Sequence, residues 1–262
     1  MPAGGAELTP RTVAAFDRYV EASETVMADT LNDPDHFLWI DGQCDRVRSD
    51  ALAALRRGEF VMESLKTRNN GNDIDVPGGL VHHWLGLVFV PGAVVEQAVA
   101  LLQDYDHHAE IYAPTVARSR IIERDGDSFR VELRFFMKKV ITVVVNSEHE
   151  ARFARHGPKR RSSRIASTRI AEVELPDTPQ EVEKPVGHDG GYMWRLNSYW
   201  RFLERAYGTY VQCESISLTR SIPVLLAWMV GPFVNSIPRE SLSFTLEKIR
   251  QTLNDRAVAL SR

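Results

Sequence analysis

The sequence from Ser221 to Leu253 reads SIPVLLAWMVGPFVNSIPRESLSFTLEKIRQTL, and it decides the fold. Its first half, from Ile222 to Ile237, has no charged residue and no polar face, so protein, ligand or lipid must cover it. This half is too short to cross a bilayer, which takes about 20 apolar residues. After Pro238, which together with Ser236 is typical of a helix start, the pattern becomes amphipathic. The apolar side of this second half consists of Leu242, Leu246, Ile249 and Leu253.

The secondary structure predicted before this segment indicates what the segment packs against. Hydrophobic periodicity predicts helices at 12–31, 46–57 and 93–105. Strands are predicted at 60–67, 79–90, 115–124, 128–146, 162–175, 192–205 and 209–220. Because long strands lead into an apolar terminal helix, we expect an α+β fold in which a curved antiparallel sheet wraps around a long C-terminal helix.

Length and composition favour one large domain with a short extension. The chain has 262 residues, of which 44% are hydrophobic and 26% charged, as in ordinary globular proteins. We expect residues 1–57 to form a helical extension packed on a main domain of residues 58–258. The formal net charge of -3 gives no electrostatic case for a nucleic-acid partner. The oligomeric state is not indicated.

Cys44 and Cys213 are far apart in sequence and have no metal-ligand spacing, so both are predicted to be free thiols. The opening residues do not resemble a signal peptide, which makes a cytoplasmic location the default and leaves a mature exported form open. The sequence has no nucleophile elbow, phosphate loop or dinucleotide fingerprint. This pattern argues against the hydrolase, kinase and dehydrogenase classes, and we expect no cofactor.

The last predicted hairpin gives a testable pairing. If Tyr207 and Gly208 form a two-residue turn, Phe202 lies opposite Cys213 and Trp200 lies opposite Ser215. One face then combines large side chains on one strand with small ones on the other, and Trp194 is expected on that same face. Such a face can become solid core against a helix, or it can leave a cavity that contains a few hydroxyl groups.

Several local patterns resemble the START-like superfamily of helix-grip proteins, which includes lipid-transfer START domains, polyketide cyclase/dehydrase-like proteins and Bet v 1-like proteins. The patterns are Val88–Ala93 running into a helix that ends at Leu102–Asp106, then Tyr112–Ser119, and the late hairpin followed by Ile222 and Pro223. Four further segments resemble, more specifically, an uncharacterised bacterial branch of the superfamily. These segments are His82–Trp84, Thr168–Val173, Trp194–Trp200 and Ile237–Leu242. The resemblance covers about Leu80 to Leu253 and implies a helix-grip fold with an apolar tunnel between the sheet and the C-terminal helix.

Polar residues on the predicted strands leave alternatives open. His83 shares a strand side with Leu85 and Leu87, so it is either a core histidine with one hydrogen-bond partner or a polar group that faces a cavity. A metal site is not predicted, because the adjacent residues His82 and His83 point to opposite faces of their strand. Arg134 is interpreted as a charge that faces solvent.

The hypothesis we favour is that the chain binds and transports a hydrophobic small molecule or lipid in the tunnel. A cyclase- or dehydratase-like enzyme with acid/base residues in the same cavity is the alternative, although no catalytic residue is predicted. A third interpretation is transient membrane contact through Ile222–Val234. The predicted ligand-binding residues are His83, Leu85, Leu87, Phe135, Met137, Trp194, Trp200, Phe202, Cys213, Ser215, Leu226, Met229 and Phe233.

Overall fold

The computed structural model describes the backbone of residues 6–138, 142–221 and 227–260, and the side chains of residues 7–138, 142–221 and 236–257. Within these ranges the helices are α1 (Pro10–Leu31), α2 (Asp45–Arg56), α3 (Val95–Gln103), α4 (His108–Ile111) and α5 (Ala227–Leu260), with 3-10 turns at Trp39–Gly42 and Tyr105–His107. The strands are β1 (Ala6–Glu7), β2 (Val61–Ser64), β3 (Arg68–Asn69), β4 (Asn72–Asp73), β5 (Gly79–Pro91), β6 (Val116–Asp125), β7 (Ser128–Lys138), β8 (Thr142–Arg155), β9 (Arg160–Glu174), β10 (Val182–Glu183), β11 (His188–Asp189), β12 (Arg195–Arg205) and β13 (Gly208–Arg220).

One large antiparallel sheet organises the described part of the chain. Its strand order is β2-β5-β13-β12-β9-β8-β7-β6, with β10 paired to β9. Register shifts interrupt the β6–β7 and β8–β9 pairings, and such irregularities bend a sheet. The long helix α5 lies across β5 and contacts β13. This is the α+β helix-grip architecture that the sequence predicted.

The two faces of the sheet are covered by different parts of the chain. The inner face, which carries Val88, Phe202 and Val211, packs against α3 and the leucine side of α5. The outer face packs against α1, and also against α2 with the segment that precedes it. Helix α1 begins as predicted, because the Thr9 side chain accepts a hydrogen bond from the backbone N–H of Thr12 at 3.2 Å. The domain boundary at residue 57 stays a prediction.

Gly86 allows α5 to approach the centre of the sheet. A Cβ atom at this position of β5 would lie 2.5 Å from Leu246 Cδ1 and 3.2 Å from Leu242 Cδ2. Leu246 is completely buried. The leucine side of the helix therefore fills the space that a side chain on β5 would otherwise take.

The last hairpin has the predicted faces but a different register. Its two-residue turn is Ala206 and Tyr207, so Trp200 pairs with Cys213 and Phe202 with Val211. The predicted register was wrong by two residues, which leaves the side chains within β12 and β13 on their predicted faces. Trp194, which precedes β12, was expected on the inner face and lies on the outer face. Gly208 is needed for close approach and not for the turn, because a Cβ there would lie 2.2 Å from the carbonyl oxygen of Val90.

Two other predictions were wrong in their boundaries. The segment 128–146 was predicted as one strand, whereas β7 ends at Lys138 and β8 begins at Thr142. Residues 138–142 contain no Gly, Pro or Asn, so no turn signal marks this break. Helix α5 also passes through Pro238 instead of starting there. Proline in a helix interior costs one backbone hydrogen bond, and the leucine side of α5 offsets this loss through packing.

Arg134 does not face solvent as predicted. Its side chain is only 4% exposed and donates two hydrogen bonds of 2.8 Å to the Glu181 carboxylate. These contacts lower the pKa of Glu181 to about 2. The chain between β9 and β10 therefore covers the side of β7 that carries Arg134, although the charge of Arg134 had suggested that this side faces solvent.

Candidate functional site

The inner face of the sheet is filled at one end and incompletely covered at the other. At the filled end the rings of Trp200 and Phe202 are stacked with centroids 6.2 Å apart, and both side chains are buried together with Cys213. At the other end, side chains of interior strands are only half-buried. These half-buried residues are Trp84, Phe135, Ile165, Ser167, Leu196, Ser198 and Ser215. The core interpretation therefore applies to the filled end, and a cavity at the other end stays a prediction.

The half-buried region lies beside the first part of α5. Leu242 and Leu246 of α5 cover β5 at Gly86, and Trp84 lies two residues away from Gly86 toward the strand start. Ser215 pairs with Trp84 and with Ser198, which places all three side by side. The helix continues toward its N-terminus over this end of the sheet. We refer to the half-buried patch formed by Trp84, Ser198 and Ser215 as the inner hollow.

Six predicted ligand-binding residues lie on the inner face, and three of these six are half-buried. The six are Phe135, Met137, Trp200, Phe202, Cys213 and Ser215. Leu226 lies outside the described residues, as do the side chains of Met229 and Phe233. Their roles in binding stay predictions.

Four other predicted residues lie on the outer face, so they are not part of a site on the inner face. His83, Leu85 and Leu87 point away from α5, and Leu87 packs against the segment before α2. Trp194 packs against α1 and donates a hydrogen bond of 3.0 Å to Asp189 Oδ1. These four residues were assigned to the wrong face because the extension covers the outer face. Both faces of the strands therefore carry apolar residues, and hydrophobicity does not distinguish the inner face from the outer one.

His83 is a core histidine. Its Nε2 lies 2.7 Å from Glu214 Oε1 and its Nδ1 lies 3.0 Å from the Tyr19 hydroxyl. The neighbouring His82 faces the inner side, where its Nε2 lies 3.0 Å from Thr219 Oγ1. Burial lowers the pKa of His82 to about 4. No group of three or more His, Cys, Asp or Glu side chains that could hold a metal ion occurs among the described residues.

Sequence reasoning missed several buried polar groups of the inner side. The atoms Tyr105 Oη, His108 Nε2, Tyr112 Oη, His149 Nδ1 and Ser163 Oγ are buried without a hydrogen-bond partner. Buried polar atoms of native proteins are nearly always paired, so each of these atoms indicates a partner such as ordered water or a ligand. His149 escaped notice because the missed break between β7 and β8 left residues 147–155 without an assigned strand.

Tyr105, His108 and Tyr112 form a cluster where the end of α3 and α4 meet the sheet. The His108 ring lies 4.7 Å from the Tyr105 ring and 4.9 Å from the Tyr112 ring, measured between centroids. Burial lowers the pKa of His108 to about 4 and raises the pKa of both tyrosines well above the ordinary value. All three side chains are therefore uncharged at neutral pH.

His149 is a buried polar residue of β8 on the inner face. It is 2% exposed and pairs across the sheet with Val131 on one side and Ser167 on the other. Its ring meets the Phe135 ring edge to face at 6.2 Å. Burial lowers the pKa of His149 to about 4, so the imidazole is neutral at physiological pH. Its neighbours Phe135 and Ser167 are half-buried.

Two surface hollows formed by described residues lie elsewhere. One, of about 420 Å³, lies between α1 and the β3–β4 hairpin and is bordered by Arg11, Arg18 and Asp73. The other, of about 200 Å³, lies beside α3 and is bordered by Glu96 and Arg161. Both are lined by charged side chains, so neither suits an apolar ligand.

The chain was compared with known proteins. No protein-family model and no curated protein matches the chain. Among solved structures, the chain is similar to a STAR-related lipid transfer protein fragment from Xanthomonas axonopodis, with 19% identity, 74% of this chain and 98% of that chain covered, and a TM-score of 0.48. It is also similar to the ZhuI aromatase/cyclase from Streptomyces sp. R1128, with 12% identity, coverage of 68% and 96%, and a TM-score of 0.44. For human STARD10 the identity is 10%, the coverage 84% of each chain, and the TM-score 0.45.

These neighbours come from the groups that the sequence motifs resemble, namely START-domain proteins and aromatase/cyclases. The architecture of this chain is an antiparallel sheet packed against a long C-terminal helix. At these identities the similarity concerns the fold alone. None of the described helices has the length and apolarity required to cross a membrane.

Proposed function

We propose that the chain binds a hydrophobic small molecule or lipid in the inner hollow, between the sheet and the first part of α5. The observation that carries this proposal is the half-buried state of apolar and hydroxyl side chains in the middle of the sheet, on a face that is otherwise core. Apolar side chains such as Trp84 and Ile165 would be covered by an apolar ligand. The segment Ile222–Val234 would form part of the wall.

The apolar area available is sufficient for binding. Burying roughly 400 Å² of ligand surface contributes about 10 kcal/mol at about 25 cal/mol per Å². The loss of translational and rotational freedom opposes this by at least about 4 kcal/mol. The difference, at most about 6 kcal/mol, corresponds to a Kd of roughly 40 μM or weaker for a ligand of that size, without any charged contact.

Binding is favoured over acid/base catalysis by the direction of the pKa shifts. A catalytic acid or base works best when its pKa is close to the working pH. Burial instead lowers the pKa of His149 and His108 to about 4 and raises the pKa of Tyr105 and Tyr112. Both shifts move the pKa values of these groups away from neutral pH. These groups therefore suit hydrogen bonding to a ligand better than proton transfer.

The proposal is tested by uptake of the neutral fluorescent probe N-phenyl-1-naphthylamine, combined with organic extraction of the purified protein and mass spectrometry. We expect saturable fluorescence with the wild-type protein and at least tenfold weaker uptake by Ser215→Phe, because the new ring occupies the inner hollow. Ser128→Phe is the matched control, since Ser128 is exposed on β7. Equal uptake by the two variants, or no uptake and no extracted ligand, would contradict the proposal.

A further inference from the structure

The larger of the two surface hollows lies on the outer side of the fold, between α1 and residues 69–77. The chain is tied to the helix just before this segment and at its end. The backbone N–H of Thr67 donates to Tyr19 Oη at 2.9 Å, and Thr12 Oγ1 donates to the carbonyl oxygen of Pro77 at 2.7 Å. Between these two ties, the β3–β4 hairpin and the helix border a space of about 420 Å³. The separation of its two walls is therefore set by the fold.

The helix wall of this hollow carries two arginines. Arg11 and Arg18 are seven residues apart, so they lie on the same side of α1, about 10 Å apart along its axis. Both side chains are exposed, and neither forms an ion pair or a hydrogen bond within residues 7–138, 142–221 and 236–257. Arg11 also lies in the first turn of α1, which has no acidic residue, so the positive end of the helix dipole adds to its charge. This wall therefore attracts anions.

The hairpin wall carries two carboxylates, of which one is compensated. Asp73 contacts Lys66 Nζ at 2.5 Å and Arg68 Nε at 3.2 Å, so two cations balance its charge. Asp75 is exposed and has no ion pair within the described part of the chain. The hollow thus has two uncompensated positive charges on the helix wall and one uncompensated negative charge on the hairpin wall. A ligand that complements both walls needs an anionic group at one end and hydrogen-bond donors at the other.

We propose that this hollow binds a small sugar phosphate or polyol phosphate, whose phosphate group lies between Arg11 and Arg18. A guanidinium group matches the oxygens of a phosphate with two parallel hydrogen bonds, which makes arginine well suited to this group. The hydroxyl groups of the ligand donate to Asp75 and pair with the amides of Asn69 and Asn72, which also border the hollow. Small-molecule sites have volumes of about 300–1,000 Å³, a range that includes this hollow. The site is separate from the inner hollow, because α1 packs on the outer face of the sheet.

The test is isothermal titration calorimetry of the full-length protein with glycerol 3-phosphate, ribose 5-phosphate and glucose 6-phosphate, and with glucose as the uncharged comparison. We expect saturable binding of at least one of the three phosphates, and binding of glucose that is weaker by about tenfold or more. Arg11→Gln and Arg18→Gln should each weaken phosphate binding about tenfold, because each removes hydrogen bonds to a charged group. Arg152→Gln is the matched control, since Arg152 is exposed on β8 and does not border the hollow.

Asp75→Asn tests the hydroxyl contact separately. The variant should bind the sugar phosphate more weakly, because a charged acceptor is lost, and inorganic phosphate more strongly, because a repulsive charge is lost. Saturation by none of the three phosphates, or equal affinity in the wild type and in the double variant Arg11→Gln/Arg18→Gln, would overturn the proposal. Stronger binding of both ligands by Asp75→Asn would exclude the hydroxyl contact. Uptake of N-phenyl-1-naphthylamine should be unchanged in the double variant, so failure of this site and failure of the proposed function can be distinguished.

Discussion

One contact between the N-terminal extension and the sheet is a buried arginine without a carboxylate partner at hydrogen-bond distance. Arg201 of β12 is 6% exposed, and its guanidinium donates to the carbonyl oxygens of Met27 and Phe37 at 3.0 and 2.8 Å. A third hydrogen bond of 2.7 Å goes to Thr30 Oγ1. Burial lowers the pKa of Arg201, which shows that its charge is incompletely compensated.

We expect Arg201→Met to lower the free energy of unfolding by about 2–4 kcal/mol. Hydrogen bonds to a charged group contribute about 1.5–3 kcal/mol each, and acceptors left unpaired cost about 1–3 kcal/mol. The variant also removes the desolvation cost of the guanidinium, several kcal/mol, which offsets part of the loss. The matched control is Arg164→Met, because Arg164 contacts Glu24 of α1 at 2.6 Å through an exposed ion pair, worth at most about 1 kcal/mol.

The assay is urea unfolding followed by tryptophan fluorescence, together with limited proteolysis of the extension under native conditions. In Arg201→Met we expect faster cleavage between residues 27 and 45 than in the wild type, and no such change in Arg164→Met. If Arg201→Met costs less than 1 kcal/mol and the cleavage rate is unchanged, apolar packing alone holds the extension, and our reasoning about the arginine is refuted.

Two other predictions concern the inner side. Gly86→Ala brings a methyl group against Leu246 and should cost about 1–3 kcal/mol in urea unfolding, the usual range for overpacking. Acidification should destabilise the protein, because His82, His108 and His149 each have a folded-state pKa near 4 and an ordinary value of 6.5. The unfolded chain binds protons first, so stability falls as the pH drops from 6.5 to 4, by up to about 3 kcal/mol per histidine.

The controls for these two predictions use open positions. Gly42→Ala should change stability by less than about 0.5 kcal/mol, because nothing lies within 4 Å of a Cβ at that position. His149→Gln should reduce the slope of unfolding free energy against pH, whereas the exposed His188→Gln should not. A Gly86→Ala variant as stable as Gly42→Ala, or identical slopes for the two histidine variants, would contradict the predictions.

Most of the long elements and their order could be predicted from the sequence, because strong local signals mark them, whereas β8 was not separated from β7. The start of α1 at Thr9 and Pro10, and the end of β5 at Pro91 and Gly92, are examples. The faces of β12 and β13 followed from alternation even though the register was wrong. The turn escaped prediction because Tyr207 adopts a φ of +80°, a conformation that a tyrosine rarely takes.

The candidate site was only partly predictable, for a physical reason. Alternation separates the two faces of a strand, but it does not show which face meets the C-terminal helix when both are buried. Leu87 and Val88 are equally buried on opposite faces, and His83 lies on the side of α1. The position of His149 on the inner face could be predicted only if the start of β8 were known. The lack of a hydrogen-bond partner at His149 Nδ1 is visible only in the three-dimensional structure.

The covering of the outer face by the extension has a consequence for how the protein can be handled. Helix α1 and the segment before α2 shield Ile216, Leu218, Leu87 and Phe89, which are all buried. A chain shortened to begin near residue 58 would expose these side chains as one contiguous apolar plate, and such plates promote self-association. A shortened version would need polar replacements across that plate to stay monodisperse.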